Sequence, residues 1–134
     1  MSKIKVLYEG DLHTIVTHEE SEQTLHTDAP KDNGGKGQTF SPTDLLAASL
    51  ATCIATIMGI YAQFHNIDLR GMEIEMEKFM SQDTPRRIQK IVGLIRLPEG
   101  VSQEERMQLE RAAHSCPVHH SLHPDIEVAI TYHL

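Results

Sequence analysis

The stretch that decides the fold is SPTDLLAASLATCIATIMGIYAQF, residues 41–64. From Leu45 to Phe64 it holds no Asp, Glu, Lys or Arg, and Cys53 sits near its middle. Ser41 suits an N-cap, Pro42 the first helical position, and Asp44 the positive end of the helix dipole. The spacing predicts one helix to about Phe64. Its length is near what a bilayer requires. Its composition is mild, with five alanines plus Ser49, Thr52, Thr56, Gly59 and Gln63. A helix of this kind is expected to be buried inside protein rather than in lipid. Covering it on every side is hard in so small a chain, which points to a second subunit on one face.

Outward from this helix the pattern is short strands. KIKVLYEG alternates, with Ile4, Val6 and Tyr8 on one side, and is expected to pair through an EGD turn with LHTIVTHE. QTLHTD reads as a third short strand. Residues 28–42, DAPKDNGGKGQTFSP, form a loop rich in turn residues. After the helix, MEIEMEKF and RRIQKIVGLIRL form an expected hairpin around SQDTP. SQEE, Ser102 to Glu105, is a capping box that opens a helix through about His114. Cys116 precedes a proline and is expected at a break, with Pro117 starting a short helix. DIEVAITYHL closes the chain as a strand. Strands, loop, long helix, two strands, helices and strand make an α+β fold, expected as a single domain over residues 1–134.

Twelve basic residues stand against nineteen acidic, a net charge of −7. That disfavours nucleic-acid binding, which needs a basic footprint. The charged, alternating N-terminus lacks the apolar core of a signal peptide. Two cysteines are too few for a disulfide scaffold. The expected setting is a reducing cytoplasm, with no nucleic-acid partner and no membrane. There the cysteines are inert core residues or a redox or catalytic pair.

A lone buried cysteine is ordinarily a small apolar residue, and Cys53 alone fits that reading. Cys116, at the start of a helix, gains from the dipole and free N–H groups. Placement therefore makes Cys116 the more acidic thiol. His114, His119, His120 and His123 surround Cys116. Their spacing matches no established zinc motif, so they read as polar surface or as tuners of the thiol, with a metal-binding protein that uses Cys116 and these histidines as a further alternative. NGGKG lacks the layout of a phosphate cradle. It reads as a flexible connection, or as a loop that brings Lys36 over a thiol site. Arg86 and Arg87 read as solvated charge, or as the guanidinium source nearest a thiol.

The block DAPKDNGGKGQTFSPTDLLAASLATC, Asp28 to Cys53, together with Cys116 after the next-to-last helix, resembles the osmotically inducible and organic hydroperoxide resistance (OsmC/Ohr) family. The element order extends the resemblance over nearly the whole chain, nearest the divergent YhfA-like branch. The resemblance implies antiparallel sheets around a long central helix, in an intertwined homodimer whose central helices pack together. It implies a peroxidase that reduces organic or small hydroperoxides, with Cys53 as peroxidatic thiol, Cys116 as resolving thiol and an external dithiol as reductant. Neither a metal nor an organic cofactor is implied. A non-peroxidase binding or redox-sensing protein of the same fold is the alternative. Two departures stand out. Thr43 occupies the place of a family glutamate, and the N-terminal strands lack the family arginine, the first arginine being Arg70. Arg86, Arg87 or Lys36 is then expected to supply the cation that activates Cys53.

Overall fold

The computed structural model describes residues 2–133. The chain divides into two compact units, Met1–Leu46 and Ala47–Leu134. The boundary falls inside one continuous helix, α1, Pro42–Phe64.

The first unit is an antiparallel sheet of β1 (Ile4–Gly10), β2 (His13–His18) and β3 (Thr24–Asp28), in that order. Asp11 and Leu12 both adopt positive φ, 54° and 60°, so the β1–β2 connection is a tight hairpin turn of the kind that matches strand twist. The register shifts between Tyr8 and Gly10. This bulge leaves Glu9 without a direct partner on β2. Beyond β3 the glycine loop is hydrogen-bonded rather than slack. Gly35 N–H donates to Pro30 O at 3.0 Å and Gly37 N–H to Ala29 O at 3.2 Å. A Cβ at Gly35 would lie 1.8 Å from Ala29 O, so only glycine lets the backbones approach this closely. The loop delivers Ser41 as N-cap of α1. Asp44 N–H donates to Ser41 Oγ at 3.1 Å, and Ser41 N–H donates back to Asp44 Oδ2 at 2.9 Å. This reciprocal pair starts the helix where the sequence places it.

The second unit carries most of α1, β4 (Glu73–Met80), β5 (Ile88–Arg96), α2 (Gln103–Ala113), α3 (Pro117–Ser121) and β6 (Glu127–His133). Its sheet has the order β4-β5-β6. β4 and β5 pair antiparallel, as the hairpin reading requires, but β5 and β6 pair in parallel. The expectation of wholly antiparallel sheets therefore needs this correction. The α2–α3 crossover between β5 and β6 is long enough to return the chain in the same direction. The core is built from Leu50, Ile54, Met58 and Ala62 of α1 with Ile88, Ile91 and Ile95 of β5 and Leu109 and Ala113 of α2. Tyr61 O–H donates to Gln108 Oε1 at 3.1 Å, a polar tie between α1 and α2. By length and composition α1 could cross a membrane, and only 28% of its most apolar window is buried in its own chain. Ser49, Thr52, Thr56, Ile60 and Phe64 form its uncovered face.

Candidate active site

The two thiols lie side by side in the second unit. Cys53 is half-buried and Cys116 fully buried, and both are free. Cys53 opens onto a cleft of about 390 Å³ lined by Ser49, Thr52, Thr56, Ile57, Pro117 and Val118. The hydroxyls of the two threonines are spent within the helix, Thr52 Oγ1 donating to Ser49 O at 3.1 Å and Thr56 Oγ1 to Thr52 O at 2.8 Å. The cleft wall facing Cys53 is therefore nearly apolar.

Cys116 is the N-cap of α3, and its Sγ accepts the His119 N–H at 3.5 Å. The sequence places it correctly, at a break before Pro117. The expected acidity does not follow. Burial pushes the Cys116 thiol up, and the hydrogen bond with Cys53 pushes it further the same way. The N–H groups of His119 and Val118 act in the opposite direction and are outweighed. A helix of five residues offers too little dipole to offset the loss of water around the sulfur. Burial thus favours the neutral thiol at Cys116.

The expected supporting residues are dispersed. Arg87 forks onto Asp83, with Nη1 at 2.6 Å from Oδ1, and also donates to Pro85 O at 2.8 Å. Arg86 is exposed at the same turn. Neither lines the Cys53 cleft, and among the described residues of this chain no cationic side chain does. Lys36 and Thr43 belong to the first unit. The hydrogen bond from His13 chiefly holds the Asp28 carboxyl low, with Lys36 adding a small push the same way, and Thr43 Oγ1 lies 3.2 Å from Ser41 Oγ at the start of α1.

The histidines around Cys116 do not converge on it. His120 Nε2 donates to His114 O at 2.9 Å, and His123 Nδ1 accepts Asp125 N–H at 3.0 Å. A larger cavity of about 560 Å³ includes Arg106, Glu110, His119 and Tyr132. Arg106 Nε stands 3.6 Å from Glu110 Oε1 and makes no hydrogen bond. Burial, with Glu110 nearby, pushes the Tyr132 hydroxyl up to about 12. This cavity has no sequence signature of its own, because α2 and β6 supply Arg106, Glu110 and Tyr132 from ordinary amphipathic patterns and His119 joins them from α3. The thiol cleft is the smaller space, but it exposes Cys53, with Cys116, the chain's other cysteine, buried behind it.

The sequence model of the OsmC-like proteins matches residues 35–131. The chain belongs to this family. A solved structure from Psychrobacter arcticus 273-4, named by inference an osmotic stress induced and detoxification response protein, is similar at 43% identity. The match covers 99% of this chain and 96% of that one, with a TM-score of 0.94. An organic hydroperoxide resistance protein of Legionella pneumophila shares the fold at 19% identity and TM-score 0.80, covering 100% and 97% of the two chains. The organic hydroperoxide resistance protein OhrB of Bacillus subtilis shares it at 21% identity and TM-score 0.72, covering 98% and 97%. No curated protein matches the chain. The family match includes α1, both cysteines and the loop from Gly35, and it leaves β1 to β3 outside.

Proposed function

We propose that the protein is a thiol-dependent peroxidase that reduces organic or small hydroperoxides, with Cys53 peroxidatic and Cys116 resolving. One observation carries this reading: an accessible thiol in an apolar cleft lies in hydrogen-bonding contact with a second, buried thiol that keeps its proton. The Cys53 thiolate attacks the terminal peroxide oxygen and the O–O bond breaks. The alkoxide leaves and takes a proton, giving an alcohol and the Cys53 sulfenic acid. Cys116 sulfur then attacks the Cys53 sulfur, and water leaves as the disulfide forms. An external dithiol returns both residues to thiols, so the cycle calls for no metal or organic cofactor. The names of the fold neighbours agree with a hydroperoxide substrate. The setting proposed is the cytoplasm, with the chain acting as a homodimer.

A thiol in an apolar cleft reacts slowly unless a cation or donor faces it. In this proposal the donor includes Cys116 S–H, and a cation comes from Arg86, Arg87 or Lys36, in the same chain or a second copy. The absence of a cation from the cleft wall favours a second reading, a small-molecule-binding or redox-sensing protein that uses the same thiols. The test is consumption of tert-butyl hydroperoxide and hydrogen peroxide in the presence of dithiothreitol, against Cys53→Ser. The peroxidase reading requires repeated turnover that Cys53→Ser abolishes. A single oxidation per chain without turnover replaces it with the sensing reading. Mass spectrometry of the oxidised wild type should show an intramolecular disulfide, and Cys116→Ser should leave the oxygen on Cys53. Oxygen found first on Cys116 would reverse the two roles.

A further inference from the structure

Far from the cysteines in sequence, the three strands of the first unit bring Glu9, His13 and His26 together. Their ligand atoms all lie within 4.8 Å of one another. His13 Nε2 is 3.0 Å from His26 Nδ1 and 3.5 Å from Glu9 Oε1. Each residue arrives by a definite device. His13 and His26 share a face of the β2–β3 ladder, because His13 pairs with Asp28 and Ile15 with His26. Glu9 sits at the β1 bulge, the kind of irregularity that re-aims a side chain.

We propose that Glu9, His13 and His26 bind one borderline divalent cation of the zinc type. Two imidazoles and a carboxylate are a zinc donor set that leaves the fourth, tetrahedral position to water. With metal–ligand bonds of about 2.0–2.1 Å, tetrahedral donors stand roughly 3.3 Å apart. The two separations from His13 Nε2, 3.0 and 3.5 Å, bracket that spacing. Calcium and magnesium prefer all-oxygen sites, so the imidazoles select against them. The supporting shell is already built. Asp28 is only 2% exposed. It accepts His13 Nδ1–H at 2.6 Å on one oxygen and Gln38 N–H at 3.0 Å on the other. A carboxylate on Nδ1 fixes the tautomer and turns the Nε2 lone pair outward, as in carboxylate–histidine–zinc arrangements. When the ion binds, His26 carries its proton on Nε2 and gives Nδ1 to the metal. The ion then ties β1, β2 and β3 together.

The test uses the untagged full-length chain with Cys53→Ser and Cys116→Ser, so that no thiolate competes. Cobalt(II) titration should give one ion per chain with the visible absorption of a tetrahedral nitrogen–oxygen site. Zinc should compete it out and raise the thermal midpoint. His26→Ala, at an exposed position, should weaken binding about tenfold or more, and Asp28→Asn roughly 10- to 100-fold. Binding to the two-cysteine variant that His26→Ala leaves unchanged overturns the site. So does loss of all binding when the two cysteines are replaced, since the ion would then belong to the thiols. Should Asp28→Asn fail to fold, Glu9→Gln at the exposed bulge provides the second variant, again with binding expected to fall about tenfold or more.

Discussion

At the scale of single residues, Cys116 shows how far a local rule reaches. Its position before Pro117 was legible, and so was its role as a helix cap. Its acidity was not, because burial depends on what the fold, Cys53 of α1 included, places around it rather than on its neighbours in sequence. The proton it holds makes two outcomes testable. Iodoacetamide near neutral pH should label Cys53 first and leave Cys116 unlabelled until the protein unfolds, since only Cys53 opens onto the cleft. Peptide mapping that finds Cys116 labelled first would contradict the burial. The second outcome concerns alkaline stability. The folded state holds the Cys116 proton more tightly than the unfolded state does. The resulting stabilisation is complete below the ordinary thiol value of about 8.5. Above it the unfolded chain deprotonates first, and stability is lost as pH rises through the raised folded value. The gap in thermal midpoint between wild type and Cys116→Ala should therefore shrink as pH increases beyond that point. A gap constant with pH would mean that the thiol titrates alike in both states.

At the scale of elements, what was legible was whatever is coded within a few residues. The capping box at Ser102 is present on both sides: Glu105 N–H donates to Ser102 Oγ at 3.1 Å, and Ser102 N–H donates to Glu105 Oε1 at 2.9 Å. The alternating strands and the start of α1 were legible for the same reason. The parallel β5–β6 pairing was not, because periodicity records which face is buried and not which strand lies alongside. The cluster of Glu9, His13 and His26 was likewise hidden, since register and a bulge assemble it rather than spacing. Gly93 carries the same lesson. On the central strand, an added Cβ would meet Ile130 Cδ1 at 2.6 Å and Met76 Sδ at 2.9 Å. Gly93→Ala should destabilise by ~1–3 kcal/mol through overpacking. Ser102→Ala should cost about 1 kcal/mol through the lost cap. Denaturant melts would measure both, and Gly93→Ala at wild-type stability would mean that the ends of the Ile130 and Met76 side chains move aside without cost.

At the scale of the whole molecule, the exposed apolar surface is more than one chain should carry. Ile4, Val6 and Tyr8 on one face of β1 and Leu7 on the other are each at least 62% exposed. On α1, Ile60 is 48% and Phe64 82% exposed. An uncharged stripe from Ser49 to Phe64, with the Cys53 cleft beside it, fits a face that another copy covers. Leu50 and Ile54 are unsuitable probes of that face. They are 0% and 3% exposed within their own chain, so a charge there would unfold the subunit itself. Ile60→Asp and Phe64→Asp put the charge on the uncovered stripe instead. The wild type should sediment as a dimer at micromolar concentration, and each variant should sediment as a folded monomer with unchanged circular dichroism. A wild-type monomer, or a dimer untouched by both charges, would remove α1 from the interface. Turnover then separates two kinds of site. If a second copy supplies the cation missing from the cleft, the monomeric variants should lose peroxidase rate while keeping both thiols and their contact. Monomers that turn over hydroperoxide at the wild-type rate would show that one chain is sufficient. The cation would then be sought within that chain, by replacing Arg86, Arg87 and Lys36 singly with Met.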